Sequence, residues 1–352
     1  MKIINKVKKV VGSLATGAVL VAMASGTAWA DEEITLRLGT AGKRTYGLGK
    51  LAFELMQPKL DEYSGGRIKL VIHDRGSLCS EHSCVEQLGL GQIDIATVSS
   101  GNVGAFGPTF DIINLPFLFN GQEAASKMLN GWLAEELSKR AEAEMGMHVI
   151  ALVPVGGFRN VVNTEREVRV PDDLKGLKIR VTKSPAEFNL LKAWGAAPIP
   201  YDWASLYEGL QAGVVQGMYL QDVFTSDGKF YEVVSNITRI EAAFSAHPLL
   251  MTKERYDGLP DWAREAIDRV GADMQKEGFA VDMDWQKTAV GAMDGKVAVY
   301  QPTAEEMDLW RAGARDAWVA VKNTYDPKLA RRVLEEQGLK NWVAALEEAG
   351  AL

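Results

Sequence analysis

The 352-residue sequence contains few of the motifs from which enzyme active sites are built. Its four histidines are scattered, and it has no GxSxG turn, no HExxH pair and no phosphate-binding glycine loop with Lys and Ser/Thr. The acidic pair Asp172-Asp173 begins a predicted helix, where carboxylates favour the helix dipole. These absences favour a binding protein without a cofactor, and an exported hydrolase is the alternative.

Cysteine is almost absent, with only Cys79 and Cys84 separated by four residues. In an oxidising compartment such a pair forms a local disulfide, and a loop this short contributes about 2 kcal/mol in the chain-entropy model. A metal site that includes His82 is the alternative. Because that set lacks a fourth ligand nearby, we predict the disulfide and no metal.

Long apolar runs are also missing after residue 30. The first thirty residues have four lysines, an apolar stretch from Val10 to about Ala24 and the small-x-small sequence Ala28-Trp29-Ala30, the pattern of a secretory leader. A membrane anchor is the alternative, but the apolar stretch is shorter than the ~20 residues that span a bilayer. We predict cleavage after Ala30 and a periplasmic location.

Positive charge is in deficit. Without the leader, 35 basic residues face 46 acidic residues, a net charge of −11. A nucleic-acid partner is not expected, because phosphate binding requires a basic surface. An anionic ligand would have to be held by individual arginines at short range, against the overall field.

The pattern of apolar residues predicts an α/β protein. About 320 mature residues exceed what one hydrophobic core usually serves, so we predict two lobes. Strand patterns alternate with helix patterns in the N-terminal half, which indicates βαβ units and a parallel sheet. We predict one helix over residues 124–144, separate strands in HVIALVPVGG and RNVVNTEREV, a strand in LKIRVTKS, and a hairpin at the PIP sequence that follows it.

A long helix is the main architectural prediction. Apolar residues recur in steps of four and seven from Asp261 to about Met293, which is typical of one helical face. About thirty residues at 1.5 Å each give roughly 45 Å, longer than one small lobe, so we expect the helix to span both. Two helices broken at Gly271 or Gly278 are the alternative.

Two arginines are the leading candidates for ligand binding. Ligands of open parallel sheets lie beyond the carboxyl ends of the strands. Arg159 follows Gly156-Gly157 at such an end, and Arg180 lies on the polar face of its strand. A guanidinium is a planar fork that matches a carboxylate, although a surface position is the alternative for each arginine. Further candidates near strand ends and helix starts are Arg44, Tyr46, Ser100, Phe158 and Trp203.

Several sequence segments, in order, resemble the DctP-type solute-binding proteins of TRAP (tripartite ATP-independent periplasmic) transporters. They are GGRIKLVIHDRGSL, CVEQLGLGQIDIATV, LKGLKIRV, LLKAWGAAPIPYDWASLYEGLQAGVVQG and FYEVVSNIT, and the similarity covers roughly residues 33–310. The resemblance implies two α/β lobes joined by crossing strands and a long helix, which close on an organic acid. It also implies delivery of that acid to an integral membrane permease.

The resemblance assigns roles to individual residues. The arginine that pairs with the ligand carboxylate falls on Arg180, a second frequent arginine on Arg159, and the aromatic residue of a helix start on Trp203. We expect Trp203 either to wall the ligand or to belong to the core.

One segment departs from the family pattern. The family commonly has VDG-x-E-N where this chain has VQGMYLQ, so Leu220 occupies the usual Asn position and Gln221 is its possible polar substitute. A leucine cannot hydrogen-bond a ligand. We therefore favour a monocarboxylate or another organic acid with an apolar or aromatic part over a C4-dicarboxylate or sialic acid.

We assign residues 1–30 to the signal peptide and residues 341–352 to a C-terminal tail. Lobe I comprises residues 31–153 and 244–285, and lobe II comprises residues 154–243 and 286–340. We expect a monomer that binds no nucleic acid. A ligand-binding sensory protein of a signalling system would share the fold and the site, and is a further alternative.

The disulfide generates the first test. Protein purified without reductant should show no thiol in an Ellman assay under denaturing conditions, and two thiols after reduction. Two free thiols in the unreduced protein would contradict the disulfide.

Overall fold

A computed structural model describes residues 33–45, 47–104 and 106–352. The predicted leader and its cleavage site lie outside these ranges. The described residues form ten strands: β1 Ile34–Thr40, β2 Ile68–His73, β3 Ile95–Thr97, β4 Met147–Asn163, β5 Lys178–Val181, β6 Ala197–Pro200, β7 Gly217–Gln221, β8 Asn236–Thr238, β9 Phe244–Thr252 and β10 Ala298–Tyr300. The α-helices are α1 Gly47–Leu51, α2 Gln57–Ser64, α3 Cys84–Gly89, α4 Ser100–Val103, α5 Gln122–Leu129, α6 Trp132–Arg140, α7 Pro185–Ala193, α8 Leu206–Gln211, α9 Asp222–Asp227, α10 Lys253–Asp257, α11 Asp261–Val290, α12 Ala304–Ala320, α13 Pro327–Glu336 and α14 Lys340–Glu348.

The strands follow the order β2-β1-β3-β9-β4-β7-β5-β6, with β8 beside β4 and β10 beside β8. Parallel pairs occur at both ends of this order, where β1 pairs with β2 and β3, and β5 pairs with β6 and β7. The central strands β9 and β4 run antiparallel to their neighbours. The sheet is therefore mixed, and the prediction of a parallel sheet holds only for its outer parts.

Strand β4 is the longest strand and extends through both parts of the sheet. Its first half pairs with β9, and its second half pairs with β7 and β8. The sequence predicted two separate strands here, which is wrong. Gly156 and Gly157 adopt φ values of 80° and 74°, and they form an irregularity between Pro154 and Phe158 without ending the strand. Glycine tolerates this left-handed backbone, so the chain bulges and continues.

Two other local predictions are wrong. The PIP sequence belongs to β6, which pairs in parallel with β5 and is not part of a hairpin. The helix predicted over residues 124–144 is divided into α5 and α6, because Gly131 takes an extended conformation (φ −139°, ψ −143°) between them.

Helices cover both faces of each part of the sheet. Alternation along the strands divides the core, so that Val161 and Tyr219 face α7 and α12 while Val162, Met218 and Leu220 face α8 and α9. The first part of the sheet is likewise covered by α1, α2 and α11 on one face and by α3, α5, α6, α13 and α14 on the other.

The C-terminal residues belong to this first core. Val343 and Leu346 of α14 and the following Ala351 are buried in the same cluster as α5 and α6. Residues 341–352 are thus largely helical and packed, whereas the sequence predicted a tail. Helix α13 contributes to the same cluster, although residues 286–340 were assigned to the second lobe.

Helix α11 extends without a break from Asp261 to Val290, so one long helix is confirmed and the two-helix alternative is not. Its glycines allow it to pack closely on β4. A Cβ atom at Gly271 would overlap the carbonyl oxygen of Ile150, and one at Gly278 would lie 3.2 Å from Val153. The glycines that suggested a break in the helix are therefore its contact points with the crossing strand.

This packing predicts a large effect of one methyl group. Gly271→Ala should destabilise the protein by about 3 kcal/mol, because the contact is with backbone, which cannot rotate away. Urea denaturation would measure the loss. The matched control is Gly291→Ala, just after α11, where no atom lies within 4 Å of the added Cβ. Equal stability of the two variants would contradict the close approach.

Candidate functional site

A cleft lies where the two parts of the sheet meet. Its lining comes from the ends of β1, β3 and β7, from β4, β5 and β9, and from the turns that contain Glu81 and Trp203. The lining residues are Thr40, Ala41, Gly42, Gly47, Leu48, Glu81, Thr97, Ser99, Asn102, Val155, Arg159, Arg180, Thr182, Trp203, Leu220, Gln221, Phe224 and His247.

Arg180 is a buried cation at this cleft. It lies on β5 between β6 and β7, is 2% exposed, and donates from Nε to the Tyr201 carbonyl at 3.0 Å. Burial lowers its pKa to about 10, and the neighbouring Arg159 also lowers it, so the guanidinium is still charged at neutral pH. Among the described residues no salt bridge joins Arg180 to a carboxylate, although one joins Arg159 to Glu187.

Arg159 has a different environment. It is 3% exposed, its Nε lies 3.1 Å from Glu187 Oε1, and one terminal nitrogen donates to the Tyr219 carbonyl at 3.2 Å. Glu187 is in the first turn of α7, fully buried, and its Oε2 accepts from the Thr182 backbone N–H at 3.0 Å. Arg159 thus forms a salt bridge inside the protein, whereas Arg180 forms none with the described residues.

Strand β7 places Leu220 and Gln221 at the cleft, where Gln221 pairs in register with Arg159. Gln221 is 1% exposed, and its Nε2 donates to the Val155 carbonyl at 3.0 Å. Its Oε1 has no hydrogen-bond partner among the described residues. The residue that follows the apolar Leu220 therefore presents an acceptor.

Trp203 lies at the cleft and also packs against the core between β7 and helices α8 and α9. Its ring centroid is 5.4 Å from the rings of both Phe224 and Phe230, in edge-on contacts. The sequence offered a wall or a core position as alternatives, and the structure combines them. Asp202, just before it, caps the turn by accepting from the Ala204 N–H at 2.9 Å.

The loop closed by the Cys79–Cys84 disulfide also reaches the cleft, and the predicted bond is present. Glu81 lines the cleft. Its Oε2 accepts three hydrogen bonds, from Ser99 N, Ser99 Oγ and Asn102 Nδ2, each at 3.0 Å. His82 Nδ1 lies 3.4 Å from Asp202 Oδ2. Sequence reasoning missed Glu81, although a carboxylate in a tethered loop after a strand end was a usable signal.

Three of the predicted residues do not line the cleft, and a fourth lies outside the described residues. Ser100 is buried and donates to Asn114 Oδ1 at 2.7 Å, while its neighbour Ser99 lines the cleft. Phe158 packs on Phe244 with ring centroids 5.2 Å apart. Arg44 is exposed and lies over the Phe53 ring at 4.4 Å. Tyr46 lies outside the described residues.

His247 on β9 lines the same cleft and was not predicted. Burial lowers its pKa from 6.5 to about 4; Glu81 partly opposes this shift, and Arg159 adds to it. The imidazole is therefore neutral at physiological pH, so it can both donate and accept one hydrogen bond.

The lowered pKa of His247 predicts a pH-dependent stability. Between pH 6.5 and 4 the unfolded chain binds a proton that the folded protein excludes, so stability should fall as the pH falls through this window. The loss should be about 2 kcal/mol, because part of the ring faces the cleft. Urea denaturation of ligand-free protein at pH 7 and pH 4.5 should show a smaller loss for His247→Gln. An unchanged loss would contradict the neutral, buried histidine.

Comparison with known proteins places the chain in a family. The family described as bacterial extracellular solute-binding protein, family 7 (DctP), matches residues 39–324. A C4-dicarboxylate-binding periplasmic protein of Rhodobacter capsulatus is 25% identical over 351 residues, which cover 98% of this chain and 99% of that protein. A 2,3-diketo-L-gulonate-binding periplasmic protein of Escherichia coli (strain K12) is 29% identical over 241 residues, or 68% of this chain and 73% of that protein.

The fold agrees with this match. The sugar acid binding protein of Advenella mimigardefordensis, solved in complex with galactonate, superposes with a TM-score of 0.81 at 23% identity, over 90% of this chain and 99% of that chain. This similarity confirms the predicted two-lobed α/β fold. The chain belongs to family 7 of the bacterial extracellular solute-binding proteins, the DctP family of TRAP transporter receptors.

Proposed function

We propose that this protein is a periplasmic receptor that binds a small organic acid through Arg180 and delivers it to a TRAP-type membrane permease. The observation that carries the proposal is a charged arginine, 2% exposed, which lies at a cleft and forms no salt bridge with a carboxylate among the described residues. A buried charge of this kind is costly unless another group neutralises it. A ligand carboxylate would form the bidentate pair that the protein itself does not supply.

The remaining cleft residues define the shape of the acid. Arg159 adds positive potential near the carboxylate, although Glu187 holds part of its guanidinium. Trp203, Leu220 and Phe224 form an apolar wall. This wall favours a monocarboxylate with an apolar or aromatic part over an acid that would place a second anionic group against the wall.

Closure would occur where β4 and β9 cross between the two parts of the sheet. Gly156 and Gly157 carry no Cβ to restrict φ and ψ, so this bulge is the candidate hinge, and the contacts of its neighbours Asp282 and Gln122 would have to shift as it moves. The lobes that move would be residues 31–153 with 244–285 and residues 154–243 with 286–340, apart from the C-terminal helices that pack on the first lobe. Closing the lobes expels water from around the Arg180 pair and strengthens it.

The family consists of transport receptors and not of enzymes, which favours delivery of the ligand over its conversion. Delivery requires a permease in the membrane and an extracytoplasmic receptor. No helix within the described ranges is both long and apolar enough to cross a membrane. Cleavage of the leader after Ala30, a monomeric state and the absence of a nucleic-acid partner belong to the same proposal.

Arg180 provides the direct test. Arg180→Ala should weaken binding of the best acid from a thermal-shift screen by roughly 2–5 kcal/mol, measured by isothermal titration. Stability should change little, because the substitution leaves no buried carboxylate unpaired. Arg264→Ala, which removes a half-buried arginine of α11 that is paired with Asp261 and does not line the cleft, is the control. Unchanged affinity of Arg180→Ala would refute the anchor.

A further inference from the structure

Two polar side chains that line the cleft each have one acceptor oxygen without a hydrogen-bond partner among the described residues. Gln221 is the first. Its Nε2 donates to the Val155 carbonyl at 3.0 Å, and the flipped amide would place two oxygens against each other. The orientation is therefore fixed. The buried Oε1, which has no partner among the described residues, is left for a group that donates a hydrogen bond.

Glu81 is the second. Its Oε2 accepts from Ser99 N, Ser99 Oγ and Asn102 Nδ2, all at 3.0 Å. No hydrogen bond to its Oε1 occurs among the described residues, so Oε1 is the oxygen available to a ligand. Glu81 lines the same cleft as Arg180 and is close enough to interact with it electrostatically. The disulfide loop on which Glu81 lies limits its movement away from the cleft.

A carboxylate ligand alone cannot satisfy these two acceptors, because an ionised carboxylate accepts hydrogen bonds and has none to donate. It would satisfy Arg180 and leave the acceptors without donors once the cleft closed. Unpaired buried acceptors reduce affinity, whereas a bond to a charged acceptor increases it more than a neutral bond does. The ligand must therefore bring a donor as well as a carboxylate.

We infer that Glu81 is a specificity-determining residue, which selects acids with a hydroxyl near the carboxylate and excludes acids with a second carboxylate at that place. The inference rests on the proposed function, since it requires Arg180 to hold the first carboxylate. A hydroxyl fits better than an ammonium group, because the donor would lie beside the two guanidinium groups of Arg180 and Arg159. A second carboxylate would meet the negative charge of Glu81 at short range.

Glu81→Gln is the substitution that should change this selection. The three donors around Oε2 would hold the amide oxygen of the new side chain, as they hold Oε2 now. The amide NH₂ would then occupy the place of Oε1. One substitution of equal size thus converts an anionic acceptor into a neutral donor and should reverse the preference between hydroxyl and carboxylate.

The test uses four acids with one carbon skeleton: 2-hydroxy-3-methylbutanoate, 3-methylbutanoate, isopropylmalonate and valine. They carry hydroxyl, hydrogen, carboxylate and ammonium at the same carbon. Isothermal titration of the wild type should give at least tenfold tighter binding of the hydroxy acid than of 3-methylbutanoate, with isopropylmalonate the weakest. In Glu81→Gln, isopropylmalonate should bind more tightly than the hydroxy acid. Thermal melting of the variant without ligand checks that the fold is intact.

Each contrary outcome has a separate meaning. Equal binding of the four acids by the wild type, with all of them weakened in Arg180→Ala, would overturn the role of Glu81 and leave the carboxylate anchor intact. Equal binding by wild type and Arg180→Ala would overturn the anchor itself. Tightest binding of valine would overturn the preference for a hydroxyl, because the donor that Glu81 selects would then be an ammonium group. Failure of the wild type to bind any of the four would overturn the substrate class, and the wild-type series decides this even if Glu81→Gln does not fold.

Discussion

The continuity of strand β4 is the constraint on which the rest of the structure depends. Its first half is paired with β9 and its second half with β7 and β8, so it belongs to both parts of the sheet. Helix α11 is packed against it through Gly271 and Gly278. Asp282 of this helix accepts from the Gly156 N–H at 2.5 Å, directly at the bulge. The helix thus supports the strand where its pairing is irregular.

The same bulge determines which side chains reach the cleft. It changes which side chains of β4 point to each face of the sheet, so that Phe158 packs on Phe244 in the core and Arg159 faces Glu187 and the cleft. The Val155 carbonyl, immediately before the bulge, fixes the amide of Gln221. A backbone irregularity therefore controls both a charge and an acceptor at the site. A substitution that straightened the strand would disturb recognition without touching the ligand.

The sequence predicted well what depends on local pattern. Period-two alternation placed Arg180 on the polar face of its strand, and the four- and seven-residue steps identified α11 as one helix. Features that depend on distant pairing could not be read in this way. His247 reaches the cleft because β9 returns antiparallel between β3 and β4, and Glu81 reaches it because the loop folds onto Ser99 and Asn102. The choice between Ser99 and Ser100 depended on one residue of register at a strand end, which apolar pattern does not resolve.

The two arginines of the cleft are not equivalent, although the sequence motif presents them as a pair. Arg159 uses Nε on Glu187 and a terminal nitrogen on the Tyr219 carbonyl, so much of its hydrogen-bonding capacity is directed into the protein. Loss of Arg159 would leave Glu187 buried and unpaired, which is chiefly a loss of stability. Arg180 donates from Nε to a carbonyl, and no carboxylate among the described residues forms a salt bridge with it. Structure and recognition are thus divided between them: one guanidinium holds α7 against β4 and β7, and the other is available to the ligand.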